Sequence, residues 1–529
     1  MRKRFFINTR KCEQQLFISF FVTTLFFVIA AWAQCSSPQR VSGKPSIAPK
    51  YGGVLKIISV GNPVNLGIPS EPNTPIDIFY SNPAVETLLG LDEKGNVIPW
   101  LATSWAVAKD GKSITFTLRK NVTFHDGSDF DAEAVKYVLD TFRNGRKADL
   151  KIISSIDVID KYTVRLNLTE FDNSILPNLT TTPGLMVSPT AIRTHDKTWA
   201  MLNPVGTGPF KMVSHERDTR LKYEKFSQYW QTGKPYLDGV EFIFATDPFT
   251  ALMSFKAGEV HVINRLDTKD ALELKATGKY ILDKAPSAVS GLAPDGGNPH
   301  SPFADIRVRK AVEYAINKQE IATRLFRGVF TPANQTAAPS AVAYNPSIKG
   351  YPYNPAKAKE LLVQAGYPNG FKTKIIYRTR DLQDFIVTIQ GYLKNVGIEA
   401  ELEAVAPTHY SQITNTGWDN ALILWSLGCG IGTEPSQHFR RNFMSQLYKS
   451  IIRPDKFNTT VDKAAIERDV KKRNALYKEI TRMITDEYAT VCPVYVADNI
   501  AVRTPQVHDA RISNPWLVRW SPEEAWLSK

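Results

Sequence analysis

The chain has 529 residues, 43% of them hydrophobic and 22% charged. That is enough for two or three lobes with cores of their own, and it excludes a disordered or polytopic protein. The net charge of +13 falls to +9 once residues 1–34, with five basic residues and one acidic, are set aside. The remaining excess is spread without a basic tract, so nucleic acid is not an expected partner.

In chain order, Arg2, Lys3, Arg4, Arg10 and Lys11 precede an uncharged apolar run from Leu16 to Ala31 and the small-residue pattern Ala31-Trp-Ala33. This is the layout of an export signal over residues 1–34. The run is short for a bilayer span and no second one follows, so the expected location is the periplasm or the extracellular face of the cell membrane. Cys35 stands where a bacterial lipoprotein carries its acylated cysteine, at the start of a polar tether over residues 35–50. Trp32-Ala-Gln34 departs from the small residues expected before such a cysteine. Two readings stand here: membrane association through a lipid on Cys35, or cleavage after Ala33 with Cys35 in a tail.

Gly53–Val60 reads as a strand, and the next thirty residues read as loop-rich, with Pro63, Pro69, Pro72, Pro75 and Pro83. Between 85 and 203 short strands alternate, among them Ser113–Arg119 and Tyr162–Leu168, with a helix near Ala132–Arg143. Phe124-His125-Asp126-Gly127 reads as a turn with packed aromatics, and His125 with Asp126 as a satisfied polar pair, not a catalytic dyad. Val205–Val240 is dense in turn formers and aromatics: Gly206, Gly208 and Pro209 fix a turn before one strand, and Leu221 and Tyr223 alternate as in a second.

From Phe303 the pattern turns helical. Val308, Ala311, Val312, Ala315 and Ile316 form one apolar stripe. Asn354 and Pro355 supply an N-cap and a first-turn proline, Ala358, Leu361, Leu362 and Ala365 a stripe, and Gly366 a stop. Lys374–Tyr377 then reads as a strand. Phe385, Ile389, Tyr392, Leu393 and Val396 have helical spacing, Gly397 ends that helix, and Ile398, Ala400, Leu402 and Ala404 alternate again. The unit is β-α-β, with parallel strands and a right-handed crossover.

Ligands of open parallel sheets sit beyond the carboxyl ends of the strands. Three such ends are candidates: Arg378-Thr-Arg380-Asp381; the glycine-rich Ser426-Leu-Gly-Cys-Gly-Ile-Gly432, after the apolar run Ala421–Trp425; and Gly61-Asn-Pro-Val-Asn-Leu66. The candidate contacts are Arg378, Arg380, Trp425, Ser426, Leu427, Gly428, Asn62 and Asn65, and the three ends are expected to converge on one cleft. Arg378 or Arg380 offers a planar fork to a carboxylate or phosphate. No nucleophile elbow, Ser-x-x-Lys, His-Glu-x-x-His, phosphate loop or metal-finger spacing occurs, so no catalytic residue, metal or cofactor is expected. Cys429 and Cys492 lie in the folded part, and pairing between them stays open.

Several blocks carry a resemblance: Leu101-Ala-Thr-Ser-Trp105, Val122-Thr-Phe-His-Asp-Gly127, Val205-Gly-Thr-Gly-Pro-Phe-Lys211, Gln228-Tyr-Trp230, Pro302 to Asn317, and Tyr353-Asn-Pro-Ala-Lys-Ala-Lys-Glu-Leu-Leu362. In order and spacing they resemble family 5 of the extracellular solute-binding proteins, the dipeptide- and oligopeptide-binding receptors of bacterial ABC transporters. The resemblance implies an α/β fold of the type II periplasmic-binding-protein kind, two lobes around a ligand cleft with an extra inserted subdomain. Lobe I is expected over 51–84, 204–290 and 500–529, the insert over 85–203 and lobe II over 291–499. It further implies a monomer that closes on a peptide or peptide-like solute and delivers it to permease subunits, with Arg378 on the ligand carboxylate and Trp425 beside the cleft. Other readings are an opine, sugar or metal chelate as ligand, a sensory or docking protein, or a secreted hydrolase. The sequence departs from the family at Gly428, where peptide binders carry an aspartate for the ligand's α-amino group. Asp419 resembles a structural position, and the next carboxylate is Glu434. A buried ammonium without a partner loses several kcal/mol, so the usual peptide pose is doubtful unless Glu434 reaches in.

Overall fold

The computed structural model describes residues 48–528 except 73, 93–94, 146–149, 246, 265, 380, 429–433, 445–446 and 514–519. Residues 1–34, read as an export signal, and Cys35, Arg380 and Cys429 lie outside the described residues. No helix among the described residues is long and apolar enough to cross a membrane.

One sheet organises the molecule. In chain order its strands are β1 (Val54–Val60), β2 (Phe210–Glu216), β3 (Arg220–Lys225), β4 (Gly239–Ala245), β5 (Val262–Asn264), β6 (Ile281–Pro294), β7 (Thr331–Pro332), β8 (Phe371–Arg378), β9 (Ile398–Val405), β10 (Ala421–Gly428) and β11 (Cys492–Arg503). Their lateral order is β2-β3-β4-β1-β5-β11-β6-β10-β8-β9, with β7 also on β11. The helices Pro248–Lys256 and Thr268–Ala276 cover one face of the β1–β5 half. The β8–β10 half is covered on both faces. Ile306–Ala315, Pro355–Gln364 and Gln383–Lys394 lie on one side, and Asp455–Ile466 and Val470–Arg482 on the other. The architecture is thus α/β with two lobes.

Only β6 and β11 are long enough to belong to both lobes. The first half of β6 pairs with the second half of β11 in lobe I, from Ile281↔Arg503 to Pro286↔Asp498. Its second half lies between β11 and β10 in lobe II, from Ala288↔Gly428 to Pro294↔Leu422. The β6–β11 register slips at Pro286/Ala288 and again at Ser290/Gly291. Each slip interrupts the ladder where the chain crosses, and such bulges bend strands. Gly291 is required at the second slip, since a Cβ there would lie 1.9 Å from the Cys492 carbonyl oxygen.

Inside lobe II the β-α-β unit forms as its periodicity dictates. β8 and β9 are parallel, the helix Gln383–Lys394 connects them, and Gly397 ends the crossover at φ +94°. Asn354 caps its helix by accepting the Lys357 N–H, with Pro355 in the first turn, and the stripe Val308–Ile316 is buried. The strand Ala421–Trp425 does not stop there, because Ser426, Leu427 and Gly428 continue it against Ser290, Val289 and Ala288 of β6. The strand thus runs three residues past the end expected from the sequence.

The insert is a four-stranded antiparallel sheet, Ala102–Val107, Ser113–Leu118, Thr163–Leu168 and Ile153–Asp160 in lateral order, packed by the helix Ala132–Gly145. Its apolar residues join those of lobe I in one continuous core. Glu86 is the polar centre of that union, accepting hydrogen bonds from Trp100 Nε1, Thr207 Oγ1, the Tyr229 hydroxyl and Trp230 Nε1. Gly206 and Gly208 precede β2 as expected, for a different reason than turn geometry. Cβ atoms there would come within 2.1 and 2.5 Å of the Ala84 and Pro83 carbonyl oxygens. Residues 75–81, within the stretch read as loop, are a helix, capped by Thr74 and Asp77 with Pro75 in the first turn.

His125 and Asp126 sit in the expected turn but do not pair. His125 Nε2 lies 2.9 Å from the Gly208 carbonyl, whereas Asp126 takes the Ser128 and Ser188 hydroxyls. Burial holds the His125 imidazole neutral, its pKa lowered to about 4.

Candidate ligand-binding site

Strand direction fixes where a cleft must lie. β1, β4 and β5 run parallel to one another, β11 opposes β5, β6 opposes β11, and β10 opposes β6 with β8 and β9 parallel to it. β6 leaves lobe I in the direction in which β1 and β5 point, and β8 and β10 run back toward it. The carboxyl ends of the parallel strands in the two lobes therefore face each other across the hinge. On the lobe I side Asn264, the end of β5, pairs with Ala501, itself opposite Asp283. On the lobe II side Gly428, the end of β10, pairs with Ala288. Five residues of β6 separate these levels, roughly 17 Å of extended chain.

The lobe II edge is a polar shelf. Arg378 ends β8, a quarter exposed, and Asp381 holds it. Its Nε lies 3.0 Å from both Asp381 oxygens, Nη2 lies 2.8 Å from Oδ1, and the Asp381 carboxylate also accepts the Arg378 backbone N–H. The guanidinium stands 5.1 Å over the Tyr410 ring, a cation–π contact. Tyr410 donates to the Leu424 carbonyl, and Tyr448 is buried in the same lobe II core. Ser426 Oγ bonds Ser290 Oγ at 2.9 Å, and Tyr495 adjoins Ser290. Burial raises the pKa of all three phenols, which keeps them protonated hydrogen-bond donors.

The other candidates fall differently. Trp425 is fully buried beside Phe443, so its ring belongs to the lobe II core and does not wall a cleft. Leu427 packs on that core, and a Cβ at Gly428 would meet nothing within 4 Å. On lobe I, Asn62 pins the hairpin turn at Asp218, with Nδ2 donating to Oδ1 at 2.5 Å and Oδ1 accepting the Asp218 N–H at 2.8 Å. Asn65 is buried and bonds both the Ile68 carbonyl and its N–H. Both amides thus have partners inside lobe I.

Glu434 does not supply the missing carboxylate. It is buried as the N-cap of the helix Pro435–Phe439, where it accepts the Ser436 and Gln437 N–H groups and the Tyr477 hydroxyl. Asp419 contacts Asn298. Cys492 is a buried thiol with no disulfide partner among the described residues, and burial raises its pKa.

Burial, aided by the nearby Asp172 charge, lifts the Glu434 pKa from 4.5 to about 7. A carboxyl raised in this way stabilises the fold below its unfolded pKa, and the contribution is lost as pH rises through 7. Glu434→Gln is therefore expected to remove roughly 3 kcal/mol of pH dependence between pH 4.5 and 7. Urea midpoints of both proteins at pH 5 and pH 8 measure it, and parallel shifts contradict it.

The two lobes meet at a second place, which nothing in the local sequence signals. Asn173 of the insert donates its backbone N–H to Ala465 O at 2.8 Å, and its side-chain amide to the Ala464, Ala465 and Glu467 carbonyls. Its Oδ1 accepts from Arg473. Beside it Arg440 of lobe II bridges Asp172 and Asp462. Arg468 donates to the Ala108 and Lys109 carbonyls over the Phe171 ring.

Two α/β lobes joined by two strands, with facing strand ends and a latch beside them, define a solute-binding receptor of the type II periplasmic class. The family model described as "Bacterial extracellular solute-binding proteins, family 5 Middle" matches residues 96–444. The chain is 30% identical over 516 residues, 93% of it and 97% of the relative, to the glutathione-binding protein GsiB of Salmonella paratyphi A (strain ATCC 9150 / SARB42). Its fold is similar to that of the periplasmic binding protein DppA from Helicobacter pylori in complex with peptide STSA (TM-score 0.74, 25% identity, 91% of this chain and 99% of the other). It also resembles NikA from Brucella suis in complex with Fe(III)-EDTA (TM-score 0.79, 24% identity, 89% and 100%). The chain belongs to family 5 of the bacterial extracellular solute-binding proteins, and it is a substrate-binding receptor of an ABC transporter.

Proposed function

We propose that this receptor captures a short peptide or peptide-like solute with a free carboxylate, closes over it as a monomer, and presents it intact to the permease. Glutathione is the first ligand to test, because relatives at 30% identity are glutathione-binding proteins. The observation that carries the reading is Arg378, fixed by Asp381 at the lobe II strand end that faces lobe I, with Nη1 making no hydrogen bond among the described residues. A guanidinium so held is pre-organised for an anionic group. Arg378→Ala is expected to weaken binding of glutathione at least tenfold by titration calorimetry. An unchanged affinity removes Arg378 from the site.

Gly428 favours a second reading, a ligand without a free α-amino group such as a modified peptide or a chelate. Position 428 itself carries no carboxylate, and among the described residues a Cβ there would meet nothing within 4 Å. Native mass spectrometry of the purified receptor, followed by identification of the molecule released on denaturation, separates the two. A peptide with a free amino end supports the first reading. Anchoring through Cys35 is a further part of the proposal, and incorporation of labelled fatty acid, lost in Cys35→Ser, tests it.

A further inference from the structure

The crossing strand β11 keeps one unbroken alternation from Tyr495 to Arg503, because the register slip within that span, at Pro286/Ala288, leaves a residue out on β6 and none on β11. Tyr495, Ala497, Asn499, Ala501 and Arg503 therefore share a face. At its lobe II end this face meets the polar shelf, since Tyr495 pairs with Ser290, whose hydroxyl bonds Ser426. At its lobe I end it opens on a cavity of about 690 Å³, lined by Asp283, Ala285 and Arg503 of the crossing strands together with Trp100 and Trp520. Asn499 stands midway, opposite Ala285 and about 13 Å of extended chain from Tyr495. Its Nδ2 is buried and has no hydrogen-bond partner among the described residues. The reason lies in its neighbours on that face, Ala285, Ala497 and Ala501, which offer no side-chain hydrogen bond. The charged and hydroxyl groups around it are paired: Lys284 with Asp498, Arg503 with Asp283, and Ser287 Oγ with the Ala497 carbonyl.

We propose that Asn499 is a specificity-determining ligand contact, whose side-chain amide pairs with a peptide group of a solute lying along the β11 face between the shelf and the lobe I cavity. The chemistry of the two groups is complementary. A carboxamide donates from nitrogen and accepts at oxygen, and a secondary amide presents the matching carbonyl and N–H. A buried donor without a partner costs its full desolvation, and at the hinge of a receptor a bound solute removes that cost. The Asn499 side chain is half-buried. A half-turn about its terminal torsion, which is broad and two-fold, exchanges nitrogen and oxygen, so either can face the solute without movement of the backbone. An ester cannot complete the pair, because it lacks the N–H and sets an oxygen lone pair against the Asn499 oxygen. The ligand class is thus a solute with an amide bond in its middle, selected over one without.

This inference rests on the receptor reading above, and its test separates the two. Calorimetry is run with glutathione and with its two ester analogues, in each of which oxygen replaces one peptide N–H. Wild type is expected to prefer glutathione over one of the esters by tenfold or more, the scale of one hydrogen bond lost in a site built to make it. Asn499→Leu, and Asn499→Ala as a second variant, are each expected to bring that preference to within about twofold, by weakening glutathione more than the ester. A role in folding alone weakens all three ligands by the same factor. That result, or a preference unchanged in both variants, overturns the proposal while the receptor reading stands. If wild type does not bind glutathione, the glutathione reading falls, and the solute released from the purified receptor on denaturation decides for Asn499. A released solute without an amide bond overturns the proposal, and one with an amide bond whose affinity drops about tenfold in both variants sustains it.

Discussion

Asn173→Ala is expected to raise the apparent Kd of the receptor for its solute by about thirtyfold, although Asn173 lies in the insert and touches no residue of the polar shelf. Its side chain makes four hydrogen bonds to lobe II, and all of them join a body fused to lobe I with one that moves against it. Separating the lobes at this place would break them. Single hydrogen bonds contribute about 0.5–1.5 kcal/mol and do not add fully, so about 2 kcal/mol of closing energy is at stake. A receptor that holds its ligand only when closed loses affinity in proportion to the closed population. Calorimetry reads the Kd, and Arg440→Ala, which frees Asp172 and Asp462, is expected to act in the same direction. Wild-type affinity in both variants would show that closure does not depend on the latch.

Gly291→Ala is expected to destabilise the protein by about 3 kcal/mol or more. The new Cβ would have to occupy space 1.9 Å from the Cys492 carbonyl and 3.0 Å from Pro493 Cα. Both belong to a central strand, and overpacking of this kind forces the backbone to shift. Gly291 sits at the register slip where β6 and β11 enter lobe II, so the displacement falls on the hinge itself. Gly428→Ala, at the end of β10 three residues beyond Trp425, the partner of Gly291, and with nothing within 4 Å of its Cβ among the described residues, is the control and should change stability by less than about 0.5 kcal/mol. Urea unfolding of the two variants decides, and equal midpoints would contradict the packing argument.

Much of lobe II was legible because its elements are local. The stripes of Ile306–Ala315 and Pro355–Gln364, the Asn354 cap and the β-α-β alternation each lie within a few turns of chain, and tertiary packing had nothing to override. Arg378 was legible as a strand-end residue for the same reason. The Gln228-Tyr-Trp230 block was visible as a pattern, but its purpose was not, because Tyr229 and Trp230 converge on Glu86, more than 140 positions away. Trp425 shows the limit of strand reasoning. The apolar run places it in a strand, and only its partner Phe443 and the cluster around them decide that its face is core. The latch could not be read at all, since Asn173 and Ala464–Glu467 lie more than 290 positions apart and meet only in the tertiary fold. The helix Pro75–Ser81 did carry a signal, a threonine cap with Asp77 three residues on and a first-turn proline, which the surrounding prolines outweighed.

Small-angle X-ray scattering of the receptor, first stripped of bound solute by denaturation and refolding and then titrated with glutathione or with the solute released from it, tests hinge closure most directly. The account predicts a smaller radius of gyration on ligand addition in wild type, a more expanded ligand-free state in Asn173→Ala, and recovery of the ligand chemically unchanged. A radius that stays constant at saturating ligand, or a ligand recovered in cleaved form, would contradict it.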